Sequence, residues 1–161
     1  MHRFSTSVAS DGVVSASPDT VWKVLTDPER ITRMTPLLHR IDLVDGREDL
    51  WRWQLATVPV TGMTVVPCFT ERMRFAEPTR IDYTHEPQGG TQERTGVEGW
   101  YELTEVTDGT HLALGLTVHA ELPLPRLATP AVRGAMHAVM GTIGAGFSRN
   151  LVRELERERT G

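Results

Sequence analysis

Residues 14–34, VSASPDTVWKVLTDPERITRM, carry two helix starts in close succession. Ser17 can accept a free backbone N–H, Pro18 suits a first helical turn, and Asp19 favours the positive end of the helix. Val21, Trp22 and Leu25 make the apolar face of that helix. Asp27-Pro28 repeats the start signal, so a second short helix is expected through Ile31 and Met34, stopping near Pro36. Upstream, Phe4 to Ser15 alternates weakly, and Asp11-Gly12 predicts a turn or bulge.

Downstream of Leu37 the hydrophobic period becomes two. LLHRIDLV ends in Asp45-Gly46, and LWRWQLATV puts Trp51, Trp53 and Leu55 on one face. MTVVPCFTERMRF reads as one run carrying Met63, Val65, Phe69, Glu71, Met73 and Phe75 together. TRIDYTH groups Ile81, Tyr83 and His85. GVEGWYELTEV groups Val97, Gly99, Tyr101 and Leu103, and HLALGLTVHAEL groups Leu112, Leu114, Leu116, Val118 and Ala120. Short strands joined by turn dipeptides predict an antiparallel meander with one buried face.

The last segment is helical again. Thr129 is a candidate cap, and Val132, Met136, Val139, Met140, Ile143, Phe147, Leu151 and Leu155 recur at helical spacing. A helix of about 28 residues would span about 42 Å. Its interior holds GAMHAVMGTIGAGF, with glycines that each cost roughly 0.5–1 kcal/mol relative to alanine. Gly134, Ala138, Gly141 and Ala145 form a row without bulk, expected to flank the Met136/Met140/Ile143/Phe147 stripe. Such a row admits either a close neighbouring backbone or a guest molecule. Met63, Met73, Met136 and Met140 around one interior favour a deformable pocket.

The 161 residues suit one domain, residues 1–161. A net charge of −4 excludes the basic footprint of a nucleic-acid binder. The single cysteine, Cys68, excludes an internal disulfide or a cysteine-based zinc cluster. No apolar run is long enough for stable membrane insertion and the N-terminus has no signal-peptide h-region, so a cytoplasmic location is expected.

The stretch Val14–Met34 resembles the opening of the START-like (SRPBCC) superfamily: a strand, a Ser/Ala-Pro lead-in, a Val-Trp helix and Asp-Pro opening the next. GWYELTEVTDGTHLALGLTV (99–118) resembles its last hairpin, and ELPLPRLATP (121–130) its lead-in to the long helix. The superfamily includes pollen-allergen-like proteins, lipid-transfer START domains and polyketide cyclase/dehydrase-like proteins. The resemblance implies an α+β helix-grip fold. A curved antiparallel sheet of about six or seven strands would wrap a long C-terminal helix, with two short helices after strand 1 and a cavity between sheet and helix. It also implies a small hydrophobic guest such as a lipid or polyketide. Trp53, Phe69, Glu71, Met73, Tyr83, Tyr101, Leu114, Met136, Met140, Ile143 and Phe147 are the expected ligand-binding residues.

No metal-ligand spacing, GxSxG elbow, GxGxxG or P-loop is present, so no metal and no cofactor is expected. Catalysis, if any, would be acid–base work by Glu71, Tyr83, His85, Tyr101 or Arg133, as in a polyketide cyclase or dehydratase. Glu71 between Phe69 and Met73 is either a register break or a buried carboxyl that must be paired or protonated. His85, near a turn, reads as exposed; Arg133 reads as a residue that snorkels to solvent, guards the pocket mouth or pairs with Glu71. A filled interior with an exposed apolar patch would instead mark an interaction domain. The sequence leaves the oligomeric state open.

Overall fold

In the computed structural model, which describes residues 1–160, Ser17 Oγ accepts the Thr20 amide at 3.3 Å and starts α1 (Pro18–Leu25). Asp27 Oδ1 accepts the Glu29 amide at 3.0 Å and starts α2 (Pro28–Met34). Both begin with proline, whose missing N–H costs nothing there.

Strand β1 (His2–Val14) runs without the turn expected at Asp11-Gly12. It pairs along its whole length with β9 (Gly109–Leu122), Asp11 opposite Ala113 and Gly12 opposite Leu112. An unbroken partner satisfies every ladder group of the strand facing it, and this outweighs a local turn signal.

The other strands are β2 (Leu38–Leu43), β3 (Leu50–Leu55), β4 (Val58–Val60), β5 (Met63–Val65), β6 (Cys68–Ala76), β7 (Arg80–His85) and β8 (Thr95–Val106). Seven of them form one antiparallel sheet in the order β1-β9-β8-β7-β6-β3-β2, and β4 and β5 form a separate hairpin. The run read from Met63 to Phe75 is therefore two strands. Pro67 interrupts it, and its carbonyl takes the Leu55 amide at 2.9 Å. Helix α3 (Thr129–Thr160) has 32 residues and completes a helix-grip α+β architecture. Thr129 does not cap it; its hydroxyl donates backward to the Arg126 carbonyl at 2.6 Å.

Two packed clusters support α3. At its front, Val132 and Met136 meet Phe4, Val58, Val60, Ala120 and Leu122. At its rear, Phe147, Leu151 and Leu155 join Val21, Val24 and Leu25 of α1, Ile31 and Met34 of α2, and Trp51 and Ile81 of the sheet. Arg33 donates to Glu154 at 2.8 Å, Arg30 pairs with Glu158 at 2.6 Å, and Asn150 donates to the Met34 carbonyl at 2.9 Å.

Only half of the glycine row reaches the space under the helix: Gly141 and Ala145 stand at its edge, and Gly134 and Ala138 do not. Gly134, Ala138, Gly141 and Ala145 are exposed. At about 100° per residue they sit across the helix from Met136 and Ile143. The close approach is at buried Gly146, where an added Cβ would collide with the Pro36 ring.

Candidate functional site: a cavity under the long helix

Alternation along the strands and the 3.6-residue helical repeat aim side chains from both layers into one space. Trp53 of β3, Phe69, Glu71 and Met73 of β6, Tyr83 of β7, Tyr101 of β8, Leu114 of β9, and Met136, Met140, Ile143 and Phe147 of α3 all line a cavity of about 540 Å³. Met63 does not, because the hairpin takes it elsewhere. Sequence reading missed the hairpin's own contribution, Val58, Val60 and Val65. Thr61-Gly62 between two alternating pairs was the available signal, and both residues take positive φ there.

The exposed members of the lining mark the mouth: Ser10 on edge strand β1, and His137, Gly141, Gly144, Ala145 and Ser148 of α3. Arg133 belongs to neither the lining nor Glu71. It is exposed, and its Nε donates to the Ser5 carbonyl at 3.2 Å, fixing the front of α3 to β1. A wider depression of about 960 Å³ lies beside the α1 N-terminus, lined by polar groups including Ser15, Asp19, Glu105, Asp108 and Glu158. Its charged, open walls offer nothing to an apolar guest.

Glu71 is the chemical centre of the cavity. It is 1% exposed. Its Oε1 accepts the Val97 amide at 3.2 Å, and its Oε2 has no partner. Burial, and then the neighbouring negative charges of Glu93 and Glu98, push its pKa up to about 9 against the single opposing hydrogen bond. The carboxyl is therefore protonated at neutral pH. Backbone geometry explains its position. The β7–β8 ladder ends at Tyr83–Gly99, so the Val97 amide has no β7 partner and turns to Glu71 instead.

His85 sits opposite Glu71 in the β6–β7 register, but its side chain, 10% exposed, does not line the cavity. The expectation of exposure fails because the 86–94 loop folds back over it. Its Nε2 meets Glu93 Oε1 at 2.9 Å, and Glu93 also accepts the Thr70 amide at 2.7 Å and hydroxyl at 2.6 Å. The His85 ring packs 5.0 Å from His119, whose pKa burial lowers. Gly96 makes room for both rings: a Cβ there would lie 2.6 Å from His119 Nε2.

Tyr83 and Tyr101 pack 5.9 Å apart, and burial raises both phenol pKa values, that of Tyr101 to about 12. Gly99 admits the Tyr83 hydroxyl, which would lie 2.6 Å from a Cβ there. Trp53 stacks on Phe69 with the rings 17° apart, and its Nε1 is buried without a partner. Cys68 is half-buried and burial raises its thiol pKa, which suits an inert role. Among the described residues no group of three or more His, Cys, Asp and Glu side chains could hold a metal ion. None of the described helices is long and apolar enough to cross a membrane.

A family model described as polyketide cyclase/dehydrase and lipid transport matches residues 1–156. Among solved structures, the chain is similar to a START superfamily protein from Mycobacterium smegmatis, at 20% identity and a TM-score of 0.67, covering 94% of this chain and 97% of that one. A protein from Thermus thermophilus is similar at 15% identity and a TM-score of 0.72, covering 95% of this chain and 99% of that one. The di-domain ARO/CYC StfQ of the steffimycin biosynthetic pathway is similar at 13% identity and a TM-score of 0.68, over 98% of this chain and 53% of that one. At such identities the likeness carries the fold alone. No curated protein matches the sequence.

Proposed function

The chain belongs to the polyketide cyclase/dehydrase and lipid-transport family, and from that premise we propose that it holds a small, largely apolar molecule in the space under α3. The observation that carries this reading is the cavity itself, about 540 Å³ and walled by aliphatic, aromatic and methionine side chains. That volume falls within the roughly 300–1,000 Å³ of small-molecule sites. Each buried methylene of a guest adds about 0.8 kcal/mol, so a medium-sized guest reaches micromolar affinity after ordering costs. A hollow interior weighs against a pure interaction domain, whose core would be filled.

Native mass spectrometry of the purified protein, with thermal melting across a lipid and polyketide panel, tests the proposal. A retained apolar adduct or a raised Tm is the expected result. Absence of both across the panel overturns it.

Glu71 favours a second reading, a cyclase- or dehydratase-like enzyme, and the ARO/CYC neighbour supports posing it. A protonated carboxyl facing an apolar cavity can donate its proton to a carbonyl or to a departing hydroxyl. Glu71→Gln should then abolish turnover of a poly-β-ketone while leaving its binding intact. Unchanged turnover removes the role.

A further inference from the structure

Among the described residues, the buried side-chain polar atoms without a partner are Glu71 Oε2, Trp53 Nε1 and Arg30 Nη1. Arg30 belongs to the ion-pair cluster under the rear of α3. The other two belong to residues that line the cavity. Native proteins pair nearly all such groups, and an unpaired one keeps its full desolvation penalty. Two in one cavity wall call for a partner that comes from outside the chain.

The chemistry of that partner follows from the atoms. An indole N–H donates and never accepts. The Glu71 carboxyl already uses Oε1 as acceptor for the Val97 amide, so its proton belongs on Oε2. A protonated carboxyl then offers one O–H. Both orphans are thus donors, and they wait for acceptors. The register pairs Trp53 with Phe69 and Trp51 with Glu71, which makes Trp53 and Glu71 diagonal neighbours on the inner face of β3 and β6. Such neighbours stand roughly 7–8 Å apart, within the span of one small polycycle. The nearly parallel Trp53 and Phe69 rings give this end of the cavity a flat aromatic wall. No lysine or arginine lines the cavity, so a carboxylate drawn to this inner end would be buried without a counter-ion beside an acidic side chain.

We propose that Trp53 and Glu71 form a donor pair that selects neutral guests bearing acceptor oxygens, as in ketones and quinones, on a rigid apolar frame, and that turns away carboxylates. This deepens the ligand-binding reading and rests on it.

Three guests of one shape test it: anthracene, 9,10-anthraquinone and anthracene-9-carboxylate, titrated at low micromolar concentration and read by quenching of tryptophan fluorescence. Anthraquinone should bind at least about tenfold tighter than the other two, since one well-made hydrogen bond is worth about that factor. Trp53→Phe keeps the ring and loses the N–H; it should weaken anthraquinone about tenfold and leave anthracene within a factor of about three. Glu71→Leu should do the same, and Glu71→Gln, which keeps a donor, should restore most of the preference. Should Glu71→Leu fail to fold, Trp53→Phe and Glu71→Gln decide the matter. Equal binding of anthracene and anthraquinone, tightest binding of the carboxylate, or equal weakening of all guests by Trp53→Phe overturns the donor pair. If anthracene binds without any preference for the quinone, the cavity reading survives and only the donor pair falls. If no guest binds, the donor pair falls, and the cavity reading is decided by the adduct and melting measurements alone.

Discussion

The two halves of α3 stand over different ground, and two buried glutamates show it. Behind Phe147 the helix lies on a filled cluster, and Glu154 in that half, 7% exposed, is met by Arg30, Arg33 and Arg157. Between Met136 and Phe147 the helix bridges a hollow, and Glu71 beneath it, 1% exposed, is met only by one backbone amide. The rear carboxylate has its cations and its place in the packing. The cavity carboxyl gives up its charge and leaves one oxygen unpaired. Both ends of the helix are closed by the chain's own atoms; the span between them is closed only when something else enters.

Four measurements sharpen or break this contrast. The largest expected effect is in the filled half: Leu151→Ala should cost about 2–5 kcal/mol by chemical denaturation, whereas Met140→Ala, over the hollow, should cost clearly less. Similar losses at both sites would mean that the span over the cavity is packed in solution.

Next is the pH dependence of Glu71. Its folded pKa of about 9 lies above the ordinary 4.5 of a glutamate side chain, so the folded state holds a proton that the unfolded chain releases. That contribution is fully present below the unfolded value and drains away as pH rises toward the folded one. Glu71→Gln should therefore gain on the parent steadily between those limits, by a few kcal/mol at the alkaline end. Parallel stability curves across that range would place a charged carboxylate in the cavity.

Smaller is Glu154→Ala, which leaves Arg30 paired with Asp27 and Glu158 and Arg33 half in solvent, and should cost about 1 kcal/mol. Added salt should lower the parent's stability and narrow that gap. A neutral outcome would reduce the rear network to surface decoration.

Smallest is Gly134→Ala, on the solvent side with nothing within 4 Å of the new Cβ. It should stabilise by roughly 0.5–1 kcal/mol through helix propensity alone. Gly146→Ala should act in the opposite direction, because Pro36 occupies that space. A gain at both positions would contradict the close approach at Gly146.

Much of this molecule could be read without coordinates. The caps at Ser17 and Asp27 are local chemistry, and local chemistry is written in neighbouring residues. Alternation assigned Trp53, Phe69, Glu71 and Tyr83 to one face because side-chain direction in a strand depends on nothing beyond parity. The errors share a cause as well. His85 obeys parity in its backbone, yet Glu93, from a loop eight residues on, draws its side chain away from the cavity. The strand expected from Met63 to Phe75 broke at Pro67 because its first half found a partner in β4. The glycine row was placed beside the apolar stripe; its angular position sets it across the helix, and only Gly141 and Ala145 of it reach the cavity mouth.

The sequence by itself determined the two capped helices, the antiparallel meander, the long closing helix and the inner face of most of the strands, since these follow from local chemistry and period. Tertiary structure alone decided that sheet and helix meet at the two ends and not between them. It also decided that the β7–β8 ladder stops at Tyr83–Gly99, leaving Glu71 to a single amide. Such outcomes depend on where distant backbones diverge, and no local pattern encodes a distance between segments far apart in the chain.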